Sequence, residues 1–305
     1  RVLSSGCVTT HSTPQVFVDR VSGKILVVLV GRPDDDSYVQ SVLEATDAIL
    51  KAREAAAFTP EECEHKRASD SAALNFGIYY GGGATSPGNL LTGRHEEMLK
   101  GLVSNPHITR MAGFADAAFK LWSPRVYESV GEELRKLYQH DKTLVKNWNS
   151  NVYPCLAVNF GPRVCCKAHR DPSNAPHTLC AIQALGRFNA ELGGHLYIRE
   201  LGVYVQFPSG STILIASALL THGNTPVTKD EVRLSITQFC PGGLLRFVSN
   251  GFHTEDWLRR RNKPLWREKV KEKETRWENE LALICTLDEL VEMYSNTAKV
   301  DTEQK

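Results

Sequence analysis

The sequence predicts an α+β fold in which helices lead into a barrel or sandwich of short strands and a charged helical tail follows. Three observations predict it. Helical apolar spacing dominates up to about residue 150, and short β-branched runs separated by turn residues crowd the stretch from Asn151 to Phe247. After Phe252 the pattern returns to long, charged helical segments. The chain accordingly divides into an N-terminal hairpin with buttressing helices over 1–150, a strand core over 151–252 and a basic helical tail over 253–305.

Each element has its own signal. Gln15 to Arg20, the turn Val21-Ser22-Gly23 and Lys24 to Val30 read as a hairpin. From Asp36 to about Ala57 an acidic start and the apolar positions Val39, Val42, Leu43, Ala48 and Ile49 suggest an amphipathic helix. Thr59-Pro60-Glu61-Glu62 opens a second one, with Thr as cap, Pro in the first turn and Glu at the capping-box position. Gly81-Gly82-Gly83 and Ser86-Pro87-Gly88-Asn89 mark an irregular loop, after which Thr92 to Leu102 and Pro106 to Leu121 look helical. Ser123-Pro124 starts another helix, whose Val126, Val130, Leu134 and Leu137 form one buried stripe. The strand runs are Cys155–Phe160, Val164–His169, Thr178–Ala184, His195–Ile198, Val203–Phe207, Thr212–Ala216 and Val232–Phe239. That many strands in about a hundred residues imply a closed or double-layered β architecture.

Composition narrows the function classes. With 36 Lys plus Arg against 35 Asp plus Glu the formal charge is +1, so a polycationic nucleic-acid binder is excluded and any phosphate surface must come from local clustering. No apolar run reaches the ~18 residues of a membrane-spanning helix. The eight cysteines form no CxxC pair, which argues against a zinc ribbon or disulfide scaffold and for a reducing compartment. The chain begins with Arg rather than Met and shows no charged-then-apolar leader, so secretion is not expected. Between Trp257 and Trp277 nine basic residues face three acidic ones. Both a solvated helix face and a phosphate-contacting surface carry charge at this density.

The chemistry concentrates in the strand core. His169-Arg170-Asp171 spaces an imidazole and a carboxylate at i and i+2, which share a side of an extended segment and can converge on one ion. His222, following the apolar run Thr212 to Ala216, offers a third donor. His177 and His195 rank below it, since neither precedes the later Arg-x-Ser segment at a sensible distance. Two His and one carboxylate on one face leave open positions on an octahedral metal, the arrangement of non-haem Fe(II) oxygenases, whereas zinc would recruit Cys or a third His. A keto acid chelating that iron needs a bidentate cation for its far carboxylate, a role Arg233 fits, with Ser235 on the same strand face adding a hydroxyl. Cys165 and Cys166 lie near the metal segment, Cys165 on the His169 face by strand parity, and both read as structural.

At this point a resemblance is visible. His169-Arg170-Asp171-Pro172-Ser173-Asn174 resembles the HRDxxN motif of the TET/JBP family of 2-oxoglutarate and Fe(II) dependent DNA dioxygenases. His222-Gly223-Asn224-Thr225-Pro226 followed by Arg233-Leu234-Ser235-Ile236 is similar to that family's HxxTP and R-[IL]-S. Leu121 to Leu137 and Phe76-Gly77-Ile78-Tyr79-Tyr80 are looser likenesses, so the resemblance spans roughly residues 70–245.

The resemblance implies a double-stranded β-helix (jelly-roll) core in which His169, Asp171 and His222 bind Fe(II), Arg233 and Ser235 hold 2-oxoglutarate, and Asn174 contacts the target base. It implies oxidation of the methyl group of 5-methylcytosine in DNA to hydroxymethyl, formyl and carboxyl products on a flipped-out base. Dioxygen and 2-oxoglutarate are then the co-substrates, methylated DNA the partner, the nucleus the location and a monomer the working form. Two departures matter. The family's base-contacting His after the R-[IL]-S strand is replaced here by the neighbourhood Gln238-Phe239-Cys240-Pro241, and the Arg it supplies to 2-oxoglutarate has no counterpart in Gly81-Gly82-Gly83. The first departure leaves 6-methyladenine open as a substrate, and the same iron site would serve a protein or small-molecule hydroxylase. A barrel retained only as a nucleic-acid binding module is the reading without turnover.

Overall fold

The computed structural model describes residues 7–8, 13–64, 66–68 and 70–303. After the short strand β1 (Cys7–Val8), β2 (Gln15–Val18) and β3 (Ile25–Gly31) form the expected hairpin. The Asp19 carboxylate closes its turn by accepting from the amides of Val21 and Ser22. Helix α1 (Asp36–Ala56) is capped by Asp35, and α2 (Pro60–Cys63) carries the reciprocal Thr59–Glu62 capping box. Next comes β4 (Ala73–Tyr79), paired with the two-residue edge strand β5 (Gly88–Asn89), which lies inside the stretch read as loop. Helices α3 (Glu96–Val103), α4 (Pro106–Trp122) and α5 (Pro124–His140) follow. On α5 the stripe Val126, Val130, Leu134 and Leu137 is buried, as its spacing predicts.

The second half holds β6 (Cys155–Asn159), β7 (Cys180–Arg187), β8 (Leu196–Ile198), β9 (Val203–Val205), β10 (Thr212–Ile215), β11 (His222–Asn224) and β12 (Val232–Phe239). It ends in α6 (Gly242–Ser249), α7 (Glu255–Arg261), α8 (Lys263–Leu283) and α9 (Leu287–Glu303). An eight-stranded sheet in the order β2-β3-β10-β7-β12-β6-β4-β5 faces a four-stranded sheet β1-β9-β8-β11. This is the jelly-roll architecture the sequence predicts. The large sheet draws on both sides of residue 150, since β3 pairs with β10 and β4 with β6.

One expected strand is absent. Val164–His169 is irregular, because its backbone groups are satisfied from several directions instead of by one ladder. The Asn224 side chain accepts from Cys166 N at 2.8 Å and donates to Val164 O at 2.9 Å, while Val164 N donates to Arg233 O and Lys167 N to Arg67 O. Strand parity therefore does not hold there, and Cys166 rather than Cys165 lines the central cavity.

Packing makes room for that cavity. On the outer face of the large sheet, Leu156, Val158, Leu185, Leu234 and Ile236 meet α1, α3 and α4 through Tyr38, Val42, Ile49, Leu99 and Met111. Between the sheets, the half under β3, β10 and β7 is filled by Val27, Leu29, Ile213 and Ile215 against Ile198, Val203, Val205 and Phe207. The other half, under β12, β6 and β4, is left as a cavity of about 630 Å³. Period-two alternation decides which residues face it: Arg233, Ser235, Thr237 and Phe239 from β12, Ala157 and Asn159 from β6, and Ala73 and Asn75 from β4. Gln238 turns the other way, accepting from Asn151 Nδ2 at 2.6 Å and donating to Ala112 O.

Candidate metal centre

The three donors predicted from the sequence meet at one end of the cavity. His169, Asp171 and His222 each offer a ligand atom, and those atoms lie within 4.8 Å of one another. Asp171 Oδ1 is 3.8 Å from His169 Nε2 and Oδ2 is 3.8 Å from His222 Nε2. The route to this convergence differs from the expected one. His169 and Asp171 do not project from a regular strand. His169 pairs with His222 in an isolated antiparallel bridge, each amide donating to the other's carbonyl at 2.9 Å, which sets the rings 4.4 Å apart. Asp171 is held in the following loop by its amide, which donates to Ser217 O at 3.0 Å.

Ring tautomers follow from the outer contacts. His169 Nδ1–H donates to Lys167 O at 2.8 Å and His222 Nδ1–H to Leu220 O at 2.9 Å, so both Nε2 lone pairs point toward Asp171. Burial, followed by the neighbouring His222, pushes the His169 pKa below its ordinary value, favouring the neutral ring a metal requires. Arg67 forms an ion pair with Asp171 Oδ1 at 2.5 Å, so the carboxylate has a charge partner inside the protein. Cys166 also lines the cavity, but burial raises its pKa and keeps it a thiol. Two imidazoles and one carboxylate on one side, without thiolate, suit a divalent ion with open positions, Fe(II) before Zn(II).

Arg233 is the second charged landmark. It is 2% exposed, forms no salt bridge among the described residues, and leaves Nε without a hydrogen-bond partner. Its contacts are a 3.4 Å bond from Nη1 to Val164 O and the face of Phe188 at 5.9 Å from the guanidinium carbon. Burial pulls its pKa down to about 10. A buried, unpaired guanidinium is costly and calls for an anion. The backbone is shaped around it: a Cβ on Gly194 (φ +72°) would sit 3.1 Å from Arg233 Cδ and Nε. Ser235, two residues on and on the same face, accepts from Asn159 Nδ2 at 3.0 Å, which leaves its hydroxyl proton available to a ligand.

Asn174 reaches the cavity wall and is 6% exposed. Its amide nitrogen is engaged by Cys180 Sγ and Ser217 Oγ, both at 3.2 Å. The sequence reading missed Arg67, Asn75 and Asn159, none of which belongs to a motif, and Asn224, which fills an unspecified position of the His222–Pro226 stretch. Their signal is register: Asn159 faces Ser235 across β6 and β12, and Asn75 faces Ala157 across β4 and β6.

The basic tail is less cationic than its composition suggests. Arg259 and Arg260 pair with Asp256, Lys269 with Glu272 and Lys273 with Glu255, so four of the nine cations are satisfied within the tail.

The structure of NgTET1 in complex with 5mC DNA superposes on this fold with a TM-score of 0.54, at 15% identity, over 73% of this chain and 75% of that one. The chain has the NgTET1 fold. Similarity extends at lower TM-scores to a 2OG-Fe(II) family oxidoreductase from Burkholderia pseudomallei (0.30, 17% identity, 56% of this chain and 67% of that one). It extends also to the viral collagen prolyl hydroxylase vCPH from Paramecium Bursaria Chlorella virus-1 (0.23, 15% identity, 35% and 68%). No protein-family model and no curated protein matches the chain by sequence. The likeness in fold to NgTET1 agrees with the resemblance read from the two motifs.

Proposed function

We propose that the protein is a 2-oxoglutarate and Fe(II) dependent dioxygenase that oxidises the methyl group of 5-methylcytosine in DNA. The observation that carries the reading is the pairing, in one cavity, of an imidazole–imidazole–carboxylate cluster with a buried guanidinium that has no anion of its own. His169, Asp171 and His222 would hold the iron, and Arg233 with Ser235 the far carboxylate of 2-oxoglutarate. When bound, iron and 2-oxoglutarate together supply the oxidising power drawn from dioxygen.

What the chain's own residues do follows from the geometry. Lys167 O and Leu220 O hold both rings in the tautomer that presents Nε2. Arg67 pairs with Asp171 Oδ1 and orients the carboxylate. The Arg233 guanidinium and the Ser235 hydroxyl would bind and orient the keto acid through its far carboxylate, beside the apolar wall of Ile182 and Leu196. Phe239, Thr237, Asn75 and Tyr79 line the rest of the space, which is large enough for a planar base beside the keto acid. A methyl in the major groove cannot reach such a site from within the duplex, so the nucleotide must leave the stack at a cost of a few kcal/mol. Asn174 is the proposed polar contact to the flipped base. On this reading the protein acts in the nucleus, as a monomer.

With Gln238 turned away from the cavity, β12 offers the base no imidazole-like edge, and this favours testing 6-methyladenine beside 5-methylcytosine. The experiment is nucleoside analysis by mass spectrometry after incubation with Fe(II), 2-oxoglutarate and duplexes carrying either base. Hydroxymethylcytosine with stoichiometric succinate is the expected product. Loss of methyl from adenine alone would reassign the base, succinate without change in either would point to a protein or small-molecule substrate, and absence of succinate would refute the dioxygenase reading.

A further inference from the structure

The two histidine-bearing segments are tied together a second time, outside the cavity. Arg170, between His169 and Asp171, donates from Nη2 to Glu200 Oε1 at 2.7 Å and from Nε to Thr221 Oγ1 at 3.0 Å. Thr221, the residue before His222, donates to the same carboxylate twice, from its amide to Oε2 at 2.7 Å and from its hydroxyl to Oε1 at 2.8 Å. Glu200 lies in the turn between β8 and β9, and β8 is the strand on which His222 is paired, opposite Ile198. Arg199 N adds a 2.9 Å bond to Thr221 O. One carboxylate thus grips the residue after the first imidazole and the residue before the second. Partial burial would raise its pKa, yet the bonds from Arg170 and Thr221 prevail and hold it at about 2, so it is an anion throughout the working range.

We propose that Glu200 is a positioning residue for the metal centre: with Arg170 and Thr221 it fixes the separation and orientation of the two Nε2 donors. This rests on reading His169, Asp171 and His222 as a divalent-cation site. The need for such a clamp is structural. His169 belongs to no strand and meets His222 only through an isolated bridge at the start of a three-residue strand. Two backbone hydrogen bonds at a strand end fray readily, whereas a metal requires its donors held within a few tenths of an ångström. The network closes the gap from the far side of the backbone, leaving the cavity side free for ligands. It also gives the middle residue of the His-Arg-Asp sequence a task distinct from that of its neighbours.

The Arg170 side chain is 53% exposed and that of Glu200 31%, so this ion pair contributes little to global stability and its positioning role is separable from folding. The test uses the full chain stripped of metal by chelation and titrated with Co(II), whose visible absorption reports both affinity and ligand geometry. Glu200→Ala is expected to weaken Co(II) binding about 10- to 100-fold and to alter the band shape while the thermal midpoint stays near that of the parent. Glu200→Gln, which keeps the shape but not the charge, is expected to recover part of the loss. Thr221→Val, which removes the hydroxyl shared by Arg170 and Glu200, is expected to reproduce a smaller version of it. Asp47→Asn, which breaks the comparable surface pair with Arg187 on the α1 side of the large sheet, is expected to leave Co(II) binding unchanged. Affinity within about twofold of the parent and an unaltered spectrum in both Glu200→Ala and Thr221→Val would overturn the proposal. A parent chain that takes up no Co(II) would instead overturn the metal reading on which it rests.

Discussion

Replacing Arg233 by Met should make the ligand-free protein more stable and the co-substrate site much weaker, two effects of opposite sign from one side chain. In the absence of ligand the guanidinium is fully buried and held down at about 10, so carrying its charge at pH 7 costs roughly 3 kcal/mol. The sign is that of a base whose folded pKa lies below its unfolded one. The cost is present at every pH below about 10 and fades only as pH rises through that value. Against it stand one long hydrogen bond to Val164 O and the contact with Phe188, together worth about 1–2 kcal/mol. Met has similar length and no charge, so a net gain of about 1–2 kcal/mol is expected, a rise of about 2–3 °C in thermal midpoint at neutral pH. With 2-oxoglutarate the balance inverts. Removing one partner of a buried, hydrogen-bonded charge pair costs about 2–5 kcal/mol. Because Ser235 remains, the lower half of that range applies, or about 30- to 300-fold in affinity. The assay is thermal unfolding with and without 2-oxoglutarate at fixed Mn(II), supported by calorimetric titration. The parent should be raised by the ligand and the variant should start higher but respond little. A variant destabilised by more than about 2 kcal/mol without ligand, or one that binds 2-oxoglutarate within threefold of the parent, would refute the reasoning.

The other expectations are simpler. His169→Ala and Asp171→Ala should each lose bound iron, measured by elemental analysis, while circular dichroism shows the fold retained; iron at parental stoichiometry in either would mean a different ligand set. Asn174→Ala should raise KM for the methylated duplex more than it lowers metal affinity, although loss of its bonds to Cys180 and Ser217 will also cost stability. Burial pushes the thiols of Cys155 and Cys240 upward and that of Cys180 to about 12, so native protein at pH 8 should be alkylated at none of the three; peptide mapping checks this. Leu137→Ala, in the fully buried stripe of α5, should cost about 2–5 kcal/mol in urea unfolding without changing the metal stoichiometry of the folded fraction.

The legible parts of this sequence were those where residue chemistry and local spacing coincide. The hairpin over β2 and β3, the capped start of α2 and the apolar stripe of α5 are local, and the structure places them as their patterns predict. The clustering of His169, Asp171 and His222 was legible for a different reason: their side chains are chemically specific and His169-Arg170-Asp171 keeps two of them together. The geometric argument behind that reading was partly mistaken, because the segment is irregular and the convergence comes from the His169–His222 bridge. β11 carried no strand signal, since His222-Gly223-Asn224 has no apolar alternation and is extended only because β8 pairs with it.

What stayed hidden is the set of contacts that no local pattern encodes. Arg67 reaches Asp171 from a segment far upstream, and Asn159 reaches Ser235 through strand register; neither side chain differs on the page from any other Arg or Asn. Charge counting fails in the tail for the related reason that i,i+3 and i,i+4 partners cancel cations a composition window counts as free. On this reading the identity of the ligands is a property of motif residues, while the precision with which they would be held belongs to residues such as Glu200 that only the fold brings within reach. Substitutions at the two sets should separate accordingly: the first abolish metal or keto-acid binding, and the second grade it while leaving the ligand set intact.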